Sequence, residues 1–140
     1  MENKIKYLEM IENVIERMAR NSFELKGWAV TLIALVGALA SQGSDKRFVV
    51  LAFIPAVTFW FLDSFYLQME RKYKILYKNV AVKSDNDKID FDMDTRKIVL
   101  SVEESKRVCF CKCLFSRTEL WFYFPIIIAI IAVIILLKVF

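Results

Sequence analysis

Histidine is absent from this chain of 140 residues. Its absence removes the commonest general base, the imidazole ligand for zinc and the side chain that changes charge near neutral pH. Cysteine is scarce: Cys109, Cys111 and Cys113 stand too close together to pair as an extracellular disulfide framework. A zinc or iron–sulfur centre wants four ligands, usually in C-x-x-C pairs, and this chain has three thiols two residues apart. Arg107 and Lys112 beside them would favour thiolate. A site shared between subunits or a redox sensor therefore stands beside the plainer reading of small apolar residues at a membrane surface. No metal or other cofactor is expected.

Charge is nearly missing from one long stretch. The last twenty residues, from Trp121 to Phe140, contain a single charge, Lys138. A soluble domain would have to cover such a run on every side. A bilayer supplies that cover, and about twenty residues at ~1.5 Å rise cross a ~30 Å hydrocarbon core. Composition agrees: 57% of residues are hydrophobic, mean hydropathy is +0.42, and the 26% that are charged are segregated into other parts of the chain.

Two further stretches read as spans. Phe23 to Ser41 holds an uncharged run from Gly27 to Ala40, with Trp28 placed as an interfacial anchor and Lys26 able to snorkel to the surface. Phe48 to Leu67 follows, interrupted by Pro55, where a kink is expected, and by Asp63. Between them a polar turn, Ser41 to Arg47, forces an antiparallel hairpin. The rival reading, signal-peptide cleavage after Ala38-Leu-Ala40, fits poorly, because the preceding 26 residues carry five acids beside five bases.

Lysine and arginine set the orientation. Residues 68–119 hold twelve, the N-terminal segment five, and the opposite side only Lys46, Arg47 and Lys138. With three spans both rich segments fall on one side, so the N-terminus and the insert are expected in the cytoplasm.

The expected architecture is an all-α membrane protein with segments 1–22, 23–41, 48–67, 68–119 and 120–139. The first is an amphipathic helix, with Ile5, Leu8, Ile11, Val14, Ile15 and Met18 on one stripe. No Gly or Pro separates it from the first span, so one continuous helix is expected. Its stripe could pack on the chain's own insert, form a short coiled coil or lie on lipid. The second span is expected to continue as a helix through Val82. In the insert, Ile89, Phe91 and Met93 alternate with Asp90, Asp92 and Asp94, a period of two that predicts a short strand or extended segment. Ile98 to Val102 would pair with it or begin a helix. The three aspartates lack the glycine of a calcium loop, so a solvated face is the expected reading. Ile89, Phe91 and Met93 form a candidate dock for a partner.

Three constellations carry functional expectations. Gly27, Thr31, Ala34, Ala38 and Ser41 make a seam of small side chains that lets another helix approach closely, either the second span or another subunit. Asp63 is an ionisable residue in a span, either part of a polar pathway or an interhelical partner of Lys26 or Arg71. Arg71, Lys72, Lys74 and Lys78 form a basic patch suited to anionic lipid headgroups. Nucleic-acid binding is not expected, since the twelve bases of residues 68–119 are interspersed with nine acids. No nucleophile and base set can be assembled for an enzyme.

Arg17 to Leu32, then Phe59-Trp-Phe-Leu-Asp63 with Tyr66 and Glu70-Arg71, then Phe91-Asp-Met and Ser116 to Tyr123, resemble a group of small bacterial multi-pass membrane proteins. Proteins of that look are often membrane components of anti-phage systems. The resemblance implies an inner-membrane location and an oligomeric effector driven by a cytoplasmic sensor, and it brings no catalytic motif. The expected function is thus a non-enzymatic homo-oligomeric membrane effector or channel, controlled through the insert. The competing expectation is a membrane anchor or receptor that recruits a soluble protein.

Overall fold

The computed structural model describes residues 2–41, 46–83 and 91–136. Its frame is three long helices: α1 (Glu2–Ser41), α2 (Phe53–Val82) and, after two short helices, α5 (Arg117–Leu136). Each contains a stretch long and apolar enough to cross a membrane. Only 11%, 28% and 17% of those stretches are buried within the chain, so most of their apolar surface needs an apolar surrounding.

α1 runs for 40 residues without a break, and no Gly or Pro falls in the segment that joins its amphipathic half to its apolar half. Ahead of α2 the chain winds as a 3-10 helix, Lys46–Ala52. Pro55 falls in the first turn of α2, which follows directly on the 3-10 helix through the right-handed helical backbone of Ala52. The helix type changes from 3-10 to α just before Pro55, the residue at which a kink is expected.

α1 and α2 pack along their length, and two apolar clusters mark the ends of their contact. At one end Ala52, Ala56 and Ile130 join Ile33, Val36, Phe53, Ile126 and Ile134. At the other, Tyr7, Ile11 and Val80 pack with Leu8, Ile15, Tyr73, Leu76, Tyr77 and Met93. That second cluster forms a two-helix stalk beyond the apolar spans. The amphipathic stripe of α1 thus closes on α2 and the insert, while Ile5 at its edge stays half exposed.

The insert folds back along the stalk. α3 (Val102–Val108) starts in a capping box in which Ser101 and Glu104 satisfy each other's backbone amides, and α4 (Phe110–Leu114) follows at once. α2 side chains then serve the carbonyls at the ends of these short helices: Arg71 donates to Arg107 O (2.8 Å), Gln68 to Val108 O (2.8 Å) and Trp60 to Leu114 O (3.1 Å). Phe61 stacks on Phe110 at 6.1 Å.

Of the expected strand or extended segment, the strand does not form among the described residues, whereas Asp94 has extended backbone; Ile89 and Asp90 lie outside the described residues. The aspartates explain why. Asp92 Oδ1 accepts from the Asp94 amide (2.9 Å) and Asp94 Oδ1 from the Arg96 amide (3.0 Å), so the backbone turns into a short 3-10 helix, Thr95–Lys97. Side-chain capping of this kind competes with a sheet ladder, and here it wins. Phe91, at φ 47°, takes a left-handed backbone that a bulky residue adopts only under strain, its ring tilted against Tyr7 at 5.4 Å.

Candidate functional site

The three long helices converge on a buried ion cluster at the end nearest the stalk. α1 brings Ser22 and Lys26, α2 brings Trp60 and Asp63, and α5 brings Glu119 and Tyr123. Spacings of three and four residues put each pair on one helical face. Asp63 is 0% exposed, Glu119 1% and Tyr123 0%.

Asp63 accepts from three donors: Ser22 Oγ, Lys26 Nζ and Tyr123 OH, the last at 3.2 Å. Lys26 in turn donates to Asp63, to Ser22 Oγ (3.2 Å) and to Glu119 Oε1 (3.2 Å), and its ammonium lies 5.7 Å from the centre of the Phe122 ring. Rather than snorkelling outward, the Lys26 side chain turns into the bundle and is 20% exposed. Trp60 stacks on Tyr123 at 6.3 Å and closes the cluster on the side of α4.

Carboxyl groups outnumber ammonium groups in this cluster. Two carboxyl groups share one ammonium, and Glu119 Oε2 is buried with no hydrogen-bond partner. Removing Lys26 leaves two buried carboxyl groups unmatched, which costs far more than losing a surface pair would. Each of the three helices contributes one member, so the cluster clamps them at a common level. Exposed Phe23, Trp28, Trp121 and Phe124 ring the same level, as aromatic side chains do at a membrane interface.

The structure separates residues that the sequence had grouped. In the small-residue seam, Gly27, Thr31, Ala34 and Ala38 are exposed, and a Cβ built on Gly27 would meet nothing within 4 Å. The side chain of Ser41 lies outside the described ones. The inward face of α1 is another one, Ser22, Lys26, Ala29, Ile33, Val36 and Ala40: Ser22 and Lys26 meet Asp63, Ile33 and Val36 pack with Ala52, Ala56 and Ile130, and Ala29 and Ala40 are buried. The Thr31 hydroxyl is satisfied within α1 by the Gly27 carbonyl (2.9 Å).

The basic patch is divided as well. Arg71 faces the insert, donating to Arg107 O and lying 3.6 Å from Cys113 Sγ, while Lys74 pairs with Glu70 on its own helix. Lys72 is half-buried and Lys78 exposed. Lys78 lies fifteen residues from Asp63, roughly 22 Å along α2 at the helical rise. Of the candidate dock, Phe91 is 40% exposed, Met93 packs into the stalk cluster, and Ile89 is outside the described residues. Cys109 and Cys111 are exposed and Cys113 buried, so the thiols do not converge; among the described residues no three metal-ligating side chains do. Burial pushes the Cys113 thiol up, and the nearby Arg71 guanidinium pulls it the other way.

Sequence reasoning named Asp63 and Lys26 but missed Glu119, Ser22 and Tyr123. A signal for them exists: Ser22 precedes Lys26 by four residues and Tyr123 follows Glu119 by four, each pair on one face at the edge of an apolar run. No protein-family model, no curated protein and no solved structure matches this chain.

Proposed function

We propose that this chain is a non-enzymatic, homo-oligomeric effector of the bacterial inner membrane, switched through its cytoplasmic insert in the anti-phage setting that the sequence resemblance implies. One observation carries the reading. α1 and α2 run unbroken from the stalk into the apolar bundle, and the Lys26–Asp63–Glu119 cluster clamps α5 to them at the junction. A push on the insert, which α2 holds through Trp60, Gln68 and Arg71, reaches the spans through rigid helices rather than through a loop. The outward seam of α1 supports assembly, because small side chains let a second copy approach closely.

Reconstituted vesicles loaded with a quenched dye test it. Leakage, or single-channel conductance in a planar bilayer, is expected once the insert is engaged or the clamp is broken by Lys26→Met. Intact vesicles under both conditions, with the protein inserted, overturn the effector reading.

A second reading has its own support. Val82 and Val99 are each 86% exposed and Val102 is 74% exposed, an apolar surface on the stalk and insert that a soluble protein would cover. In this reading the chain is an anchor that recruits that protein. Val99→Asp with Val102→Asp should then abolish recruitment and leave vesicle integrity unaffected.

A further inference from the structure

α4 lies against the apolar bundle rather than in the stalk. Its Phe110 ring stacks on Phe61 at 6.1 Å, and Leu114 O accepts from Trp60 at 3.1 Å. Phe61 and Trp60 precede Asp63 by two and three residues, roughly 3 and 4.5 Å farther from the stalk at the helical rise. The short helix therefore sits at the level of the ion cluster and of the exposed Trp28 and Trp121. Phe115, edge-on to Trp60 at 6.1 Å, is 61% exposed beside it. Charge on this segment has one sign. From Ser105 to Thr118 the chain carries Lys106, Arg107, Lys112 and Arg117 and no acid, and all four are exposed. The bordering acids are engaged elsewhere: Glu104 caps α3 through Ser101, and Glu119 is buried against Lys26. Phe110 and Cys113 face α2, which leaves Cys109, Cys111 and Lys112 on the outer side of α4.

We propose that the outer surface of α4 and the start of α5 bind the headgroups of anionic phospholipids in the leaflet nearest the stalk. The proposal rests on the membrane reading above and holds whether or not the chain is an effector. Lys112 and Arg117 meet the phosphates at the rim of the bundle, while Lys106 and Arg107 reach them from the stalk side. Phe115 enters the boundary between headgroups and acyl chains, as the apolar side of an interfacial helix does. The basic patch of α2 does not serve this role, because Lys74 pairs with Glu70 and Arg71 turns to the insert. Lys78 stands too far along the stalk. An acidic protein would match the charge of α4 but not its depth, since it would have to displace the lipid that covers Phe115 and Trp121.

The test uses the full chain in phosphatidylcholine vesicles doped with spin-labelled phosphatidylglycerol or spin-labelled phosphatidylcholine, and measures how much of each lipid the protein immobilises. Expected is a several-fold preference for phosphatidylglycerol that falls with added salt, since each basic side chain near an anionic surface is worth about a factor of five. Lys112→Gln with Arg117→Gln should remove most of that preference, and Lys74→Gln with Lys78→Gln should leave it unchanged. A nitroxide on Cys111, with Cys109→Ser, measures depth without touching the charges. It should be less open to a water-soluble nickel chelate than a nitroxide on Val82→Cys in the stalk. A preference unchanged in the Lys112 and Arg117 variant, or lost equally in the α2 variant, overturns the proposal while the membrane reading stands. A Cys111 nitroxide as open as the stalk label also overturns it and leaves the surface to an acidic soluble partner. Release of the chain from membranes by alkaline carbonate is a different failure, because it removes the membrane reading itself.

Discussion

Lys26 of α1 and Asp63 of α2 form an ion pair inside the bundle, and Glu119 of α5 competes for the same ammonium at 3.2 Å. Neither carboxyl is accessible, so the lysine is their shared counter-charge. The order of damage on mutation follows. Lys26→Met leaves two buried carboxyl groups facing each other and should cost about 3–5 kcal/mol, more than Asp63→Asn, which keeps an acceptor for Ser22 and Tyr123. Replacing all three with apolar residues of similar size should recover most of the loss. Denaturant unfolding in mild detergent measures this order, and a fully stable Lys26→Met would show that the cluster is no clamp.

The stalk depends on Ile11, which is 0% exposed against Val80 and its neighbours. Ile11→Ala should cost about 2–5 kcal/mol of local stability. Hydrogen exchange is the measurement: amides of residues 5–18 and 73–82 should speed up while those of α5 keep their protection. Uniform acceleration across all three helices would mean that stalk and bundle open as one unit.

Thiol labelling reads topology and packing together. Cys109 and Cys111 are exposed and Cys113 buried, so a membrane-impermeant maleimide should label the first two and spare the third. With the insert in the cytoplasm, labelling should occur in inverted vesicles and fail in intact cells. Because the Cys113 thiol is pushed up by burial, folding favours its neutral form; that contribution is present at low pH and is lost as pH rises through the shifted value. Its labelling should therefore begin only in alkaline buffer.

The turn in the insert should respond to acid. Lys97 holds the Asp92 carboxyl below the usual range, and Arg96 does the same for Asp94. Groups lowered in this way stabilise the fold above their unfolded pKa and lose that contribution as pH falls through the folded value. Protection of the Asp94 and Arg96 amides should survive mild acid and vanish only below the ordinary carboxylate range. Asp92→Asn with Asp94→Asn should flatten that profile.

The outward seam predicts separable effects on assembly and folding. Gly27→Leu and Ala34→Leu place larger side chains on an exposed face of α1, with open space at Gly27. Protomer stability should stay within about 0.5 kcal/mol of wild type or rise slightly, as expected for surface changes that improve helix propensity. Chemical cross-linking should show loss of any oligomer built on this seam. An oligomer unaffected by both substitutions must use another face.

What could be read from the chain alone was whatever depends on periodicity and on the cost of leaving apolar surface in water. Three helices long and apolar enough to cross a membrane, the unbroken α1 and the extension of α2 to Val82 follow from hydropathy runs and missing helix breakers. Such signals are local, so one sequence carries them. Alternation at Ile89–Asp94 pointed to a strand or an extended segment; among the described residues no strand forms, because polarity of period two does not exclude aspartates that cap their own backbone.

Tertiary structure decided which face of α1 turns inward and which charges meet. Lys26, Asp63 and Glu119 are separated by 37 and 56 residues, and no local rule links them. Only helix packing brings them within reach of one ammonium. The same packing sets the seam outward, because Ile33 and Val36 join the apolar cluster around Ala56 and Ile130, leaving Gly27, Thr31, Ala34 and Ala38 exposed. Side-chain volume says that a helix can come close; the competition among faces for one partner says which does.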